Sequence, residues 1–292
     1  MSLLFIAVQA FAVSGPPAPS FSPRELDDIV SRVALDPDPL LAQILTASTY
    51  WDQIPDAANW ADDHHGLHGE ALIAAISEDQ LPWDPSVQAL LPFPSVLETM
   101  ASDPDWTQRL GEAFLAQPTQ VMDAVQRMRH RAYEYGYLRS NSDIVVNSGP
   151  YIEIVPARRD YIVVPSYDPV IVYAPPRHGF TIGAAIRFSA GVTLGAVFSP
   201  WGWGTSRFGW GTHVVYINNA PWRRTWVNRR TYVHHYDLHR YSGPVHEHHQ
   251  TVHHSTHDQH GQHSHQDDKN QHKDSNGHHG DDKDQHKHHD RR

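Results

Sequence analysis

The sequence predicts an α+β protein: an N-terminal all-α helical bundle, a small antiparallel β-rich region, and a disordered histidine-rich tail. Three observations carry this. Apolar residues recur at helical spacing to about residue 138, the period then shortens to two, and beyond residue 242 only Val245 and Val252 remain as aliphatics. Charge divides the chain at the same places, with 19 acids against 7 arginines in residues 1–140 and 10 arginines against 5 acids in residues 141–242. Residues 243–292 hold 9 acids, 6 bases and 15 histidines. The formal net charge of -10 therefore combines unlike segments. The segments are 1–20, a signal-like run and Pro-rich linker; 21–138, acidic and helical; 143–241, basic, aromatic and β-rich; and 243–292, the tail.

The first segment opens with Leu3 to Val13, "LLFIAVQAFAV", followed by the Pro-rich "SGPPAPS". An apolar run of this length, with Ala10-x-Ala12 near its end as a cleavage site, reads as the end of an export signal, placing the mature protein in the periplasm or cell envelope. The n-region lacks Lys or Arg, as a start inside a longer signal would produce. The run is too short to span a bilayer, and a buried N-terminal strand or helix is the rival reading.

In the helical segment, Ser22-Pro23-Arg24-Glu25 forms a capping box with proline at the first helical position. Leu26, Ile29, Val30 and Val33 follow as one apolar stripe. Asp38-Pro39, Asp84-Pro85 and Asp103-Pro104 open further helices, so many acids are expected to be caps: Asp accepts from free amides and favours the positive helix end. The longest helix should run from about Pro118 to Tyr135, with Val121, Val125, Met128, Ala132 and Tyr135 on one face and Gly136 ending it. Its other face would carry Arg127, Arg129, His130 and Arg131, paired with neighbouring acids. Six or seven short helices result. Asp62-Asp63-His64-His65 with His68 resembles a ligand set, but Gly66 should end the helix and part the histidines, leaving a polar helix end.

Several stretches here are similar to a bacterial family of exported proteins, domain of unknown function 3300. They are "ALDPDPLLAQILTASTYWD" from Ala34, "LPWDPSVQALLPFPSVLETM" from Leu81, "DWTQRLGEAFLAQ" from Asp105, "VMDAVQRMRHRA" from Val121 and "YIVVPSYDPVIVY" from Tyr161. The resemblance covers roughly Phe21 to Tyr173. It implies no catalytic residues, leaves the tail outside the shared domain, and finds Asp36 where an aromatic is expected.

Beyond Gly136, "YIEIVP" at Tyr151, "YIVVP" at Tyr161 and "VIVY" at Val170 read as short antiparallel strands between turn signals. From Ile182 to Phe198 every even position is apolar, which argues a strand; Arg187 near the middle counts against a lipid-spanning helix built on Gly191-x-x-x-Gly195. "PWGWGTSRFGWG" from Pro200 lacks the glycine spacing of a dinucleotide cradle and reads as an aromatic loop or glycine turns between strands. Trp203 and Trp210 either cover the sheet or stack on a partner. "VVYINN" and "RTWVNRRTYVHHY" suggest final strands, with Asn218-Asn219 as a turn. With Arg223, Arg224, Arg229, Arg230 and Trp226 these tryptophans give a candidate partner surface for an envelope protein, an anionic envelope polymer or lipid head groups. Export disfavours nucleic acid. The plain alternative is a solvated strand face.

Conformational entropy without apolar compensation predicts disorder in the tail. Imidazoles at His246, His248, His249, His253, His254, His257, His260, His263 and His265 offer weak, exchangeable sites for Zn, Ni or Cu rather than one structural ion. His246-Glu247-His248-His249 is not a zincin motif, because Gln250 stands at the second ligand position. Cysteine is absent and the first lysine is Lys269, which excludes thiol nucleophiles, disulfides, Cys-based metal sites, and P-loop or Schiff-base lysines in the ordered part. No cofactor is required and no membrane span is expected in the mature chain. The composition points to a non-enzymatic envelope scaffold or interaction module with a metal-binding tail. Its alternatives are a metal-buffering protein and an envelope glycan hydrolase using carboxylates such as Asp62 or Asp84.

Overall fold

Proline opens almost every helix. The computed structural model describes residues 17–176 and 185–229. The N-terminal apolar run, residues 182–184, Arg230 and the histidine tail lie outside the described residues. The helices of the first segment are α1 (Pro23–Val30), α2 (Asp38–Ala47), α3 (Ile54–Asp63), α4 (Gly69–Glu78), α5 (Pro85–Gln88), α6 (Pro94–Ser102), α7 (Pro104–Ala116) and α8 (Pro118–Glu134). All but α4 carry proline in the first two positions, where its fixed φ suits the helix and its missing N–H is no loss. Ser22 completes the capping box with Glu25, and the Asp84 and Asp103 side chains cap α5 and α7. Asp38 does not cap: Pro37 takes that position, and Asp38 turns inward. Eight helices exceed the expected six or seven, because Ile54-Pro55 and Phe93-Pro94 open helices as Asp-Pro does.

The helices pack through their predicted stripes. Trp106 lies against α1, its Nε1 donating to the Ile29 carbonyl at 2.8 Å. Close approach has one strict site: a Cβ on Gly111 of α7 would stand 2.1 Å from the Ser48 carbonyl oxygen, so only glycine lets α7 touch the 3-10 turn Ser48–Gln53.

The second segment is antiparallel throughout its described strands. β1 (Ile144–Ser148) and β2 (Ile152–Pro156) form a hairpin, with Ile144, Ile152 and Ile154 buried. β3 (Tyr161–Ile162) pairs β6 (Val192–Thr193), and β4 (Pro165–Tyr167) pairs β5 (Ile186–Phe188). β7 (Arg207–Gly209), β8 (Val214–Ile217) and β9 (Ala220–Pro221) form the last sheet. Asn218 and Asn219 make the expected turn, both with positive φ.

Three expected strands differ. "VIVY" at Val170 is the short helix α9 (Pro169–Val172), capped by Asp168, because the Asp-Pro signal outweighs β-branched propensity. The alternation from residue 186 to Phe198 breaks into β5, β6 and the 3-10 helix Ala196–Trp201, although Leu194 and Phe198 do face inward. Residues 224–228 form a turn instead of a strand: Asn228 Oδ1 accepts from Thr225 N at 2.7 Å and its amide donates to the Arg223 carbonyl. No helix among the described residues is long and apolar enough to cross a membrane.

The change of period near residue 140 is not a change of core. Ile162, Leu194, Phe198, Trp203, Phe208, Trp210 and Val215 belong to the same buried cluster as the residues of α1 to α8. A smaller cluster likewise joins Leu35 and Ala132 to Ile144, Ile152 and Val172.

Candidate functional site

Arg129 is fully buried between the helices and the β layer. Its Nη1 donates to Asp38 Oδ1 at 2.6 Å and to the Ile152 carbonyl at 2.9 Å, its Nη2 to the Asp36 carbonyl, and its Nε to the Ala34 carbonyl. Asp38 also accepts from Trp210 Nε1 at 3.0 Å and from Ile154 N. The Trp210 ring lies 5.0 Å from the guanidinium carbon and stacks on Phe208. One ion pair thus gathers the α1–α2 loop, α2, α8, β2 and the 3-10 turn Trp210–Thr212. A buried arginine holds its charge only when its donors are well answered, and here four oxygens, three carbonyl and one carboxylate, accept from its five N–H groups. Sequence reasoning placed Arg129 on the polar face of α8. Its position one turn after Val125 and two after Val121 was the available signal.

Beside it Asp36 is also buried, and burial pushes its carboxyl well above the usual range despite the nearby Arg129 charge. Tyr167 and Tyr173 both donate to the Ser31 carbonyl at 3.0 Å, and burial raises both phenols. The other two arginines of α8 read as one patch do pair with acid: Arg127 and Arg131 both grip Asp27 of α1, at 2.6 and 3.0 Å.

The proposed partner residues separate into two kinds. Trp203 and Trp210 are 3% exposed, and Trp203 Nε1 donates to the Ala89 carbonyl, so both rings are core. Arg223, Arg224 and Trp226 lie on a strap, residues 222–229, laid over the bundle. Arg224 pairs with Asp84 at 3.0 Å and spans the Tyr50 and Trp222 rings, while Trp226 N donates to the Leu115 carbonyl. Arg223 and Val227 face outward, and the Arg229 guanidinium covers the Trp226 ring at 3.8 Å. Arg230 and the nine tail histidines lie outside the described residues.

Of the two carboxylates considered for hydrolysis, Asp84 is engaged by neighbouring groups. Burial raises the Asp84 carboxyl, Ser86 hydrogen bonds pull it back, and Arg224 holds its second oxygen. Asp62 is exposed in the last turn of α3. In the neighbouring cluster His64 stacks on Trp60 at 4.0 Å and bonds the Trp60 carbonyl, while His65 bonds the Asp62 carbonyl. Among the described residues no group of three His, Asp or Glu is placed to hold a metal ion.

Among the clefts that open on the β layer, two are lined by both arginine and proline. One, of about 690 Å³, has Ile162, Leu194 and Trp203 as its floor and Arg159 and Asp160 at its rim. The other, of about 500 Å³, lies between α6 and the β4–β5 pair. A family model described as "Protein of unknown function (DUF3300)" matches residues 22–288. The chain belongs to this family. The DUF3300 match reaches past Tyr173 through the β layer and into the tail, so the shared region is longer than the resemblance from Phe21 to Tyr173 indicated. An Escherichia coli K12 relative, "Uncharacterized protein YacH", is 36% identical over 55% of this chain and 32% of its own length. The chain therefore spans about a third of that curated relative. No solved structure matches.

Proposed function

We propose that this chain is an exported cell-envelope protein whose folded body is a non-enzymatic scaffold or interaction module and whose tail takes up divalent transition metals. The observation that carries the reading of the body is the use made of its acids. Asp27, Asp38 and Asp84 each hold an arginine from a distant part of the chain, so the carboxylates that acid–base chemistry would require fasten one element to another. The strap then presents Arg223 and Val227 on its outer side, shortly before the histidine-bearing residues. An arginine and apolar mixture of this kind suits an envelope protein or anionic polymer. Export is supported by the Leu3 to Val13 run, and metal uptake by fifteen imidazoles in residues 243–292.

Zinc and nickel uptake by the full chain, measured by equilibrium dialysis at about pH 7.5 where imidazole is neutral, tests the tail. Replacing the nine histidines from His246 to His265 with glutamine should remove at least half of the bound metal. Equal uptake by both forms rejects the tail as the source of ligands. For the body, turnover of a glycan substrate that disappears in Asp84→Asn would overturn the scaffold reading.

A further inference from the structure

The cleft of about 500 Å³ is lined by Arg32, Ser95, Thr99, Ser166, Arg187 and Ser189 on a wall of proline and aromatic residues. Two arginines and four serine or threonine residues line it, and no acidic residue does, although the helical segment around it is acidic. Arg187 and Ser166 are register partners across β5 and β4, so the sheet fixes one cation beside one hydroxyl. Ser189 Oγ accepts from Val164 N at 3.2 Å, which leaves its own hydrogen to donate. Thr99 spends its hydrogen on the Ser95 carbonyl and serves as wall.

The two cations differ in commitment. Arg32 pairs with Asp103 at 2.8 Å, with both side chains more than a third exposed, so water weakens that pair. Among the described residues Arg32, Arg127, Arg129, Arg131 and Arg224 are paired with acids, whereas Arg187 is not. We propose that this cleft binds a phosphate group. A guanidinium fork meets two oxygens of an oxyanion, and the Ser95, Ser166 and Ser189 hydroxyls supply donors for the further oxygens that a tetrahedral phosphate has and a carboxylate lacks. The phosphate is either free in solution or the headgroup of an anionic phospholipid. This goes beyond the metal-binding reading and stands independently of it.

The test uses the full chain with a chelator at about pH 8, where the imidazoles are neutral and metal-free and so do not hold phosphate themselves. Inorganic phosphate is titrated by calorimetry, and vesicles of phosphatidic acid in phosphatidylcholine are tested by co-sedimentation. Saturable binding is expected, weakened about tenfold by Arg187→Gln and about fourfold by Ser166→Ala, as loss of a charge-assisted and a neutral hydrogen bond implies. Arg207→Gln is the charge-matched control, because Arg207 is exposed outside the cleft, bonded to Asn219 and set over Tyr216. Vesicle binding that free phosphate displaces identifies the lipid headgroup as the source. Phosphate binding without vesicle binding identifies the soluble ion or ester. Absence of saturable binding to either probe, or equal weakening by Arg187→Gln and Arg207→Gln, overturns the proposal.

Discussion

The helical and β halves of the body reach order by different routes. Helices α1 to α8 run from four to seventeen residues, carry proline in the first two positions in all but α4, and bury stripes that their own sequence spells out. The strands are two to five residues long, and a hairpin of that length has little stability alone in water. Their aromatics are instead inserted into the helical core, and the buried charges that bond them, Asp38 and Arg129, come from α2 and α8. The comparison teaches that the β half is a layer held by the bundle, and that the Arg129–Asp38 pair is where the two halves become one cooperative body.

The largest effect that would break this comparison is at Arg129. Arg129→Ala leaves Asp38 buried without its cation and takes the Arg129 donors from the Ala34 and Asp36 carbonyls, a loss of about 3–5 kcal/mol for a broken buried pair. Urea unfolding followed by both far-ultraviolet circular dichroism and tryptophan fluorescence should show the midpoint falling with the two signals still coincident. A fluorescence change that precedes loss of helix would mean that the halves unfold separately.

A second prediction sharpens the electrostatics of the junction. Asp36 has a raised folded-state pKa, so its proton is bound more tightly in the fold than in the unfolded chain. The stability this contributes is complete below the unfolded value of 3.8 and declines as pH rises toward the folded value. The decline is at most the one-proton limit of about 1.4 kcal/mol per pH unit. Asp36→Asn should flatten this part of the stability–pH curve and leave the variant at least as stable as the parent at neutral pH. An unchanged curve would show that the carboxyl is answered by charge in the fold.

The smallest effect is expected at the strap. Arg224 is partly exposed, so Arg224→Gln should cost about 1 kcal/mol or less through the lost pair with Asp84 and the lost ring contacts. Proteolysis at residues 223–229 should nevertheless quicken, because local release precedes global unfolding. A protection pattern equal to the parent's would show that Trp226 alone pins the segment.

What the sequence determined by itself was local and periodic. The capping box at Ser22, the helix from Pro118, the Asn218-Asn219 turn and the family likeness all rest on neighbours within a few residues, where backbone sterics and side-chain spacing decide the outcome. The same locality explains the misses: the apolar run at Val170 resembled a strand until the Asp168 cap was counted, and Thr225 to Asn228 closed a turn through side-chain bonds that propensity does not weigh. Only the tertiary structure decided that Trp203 and Trp210 are core, that Asp38 and Arg129 meet across 91 residues, and that Arg187 comes to face the serines of a cleft. Burial of a polar group is set by what covers it from elsewhere in the chain, and a charge becomes a fastening or a binding group according to whether such a distant partner answers it.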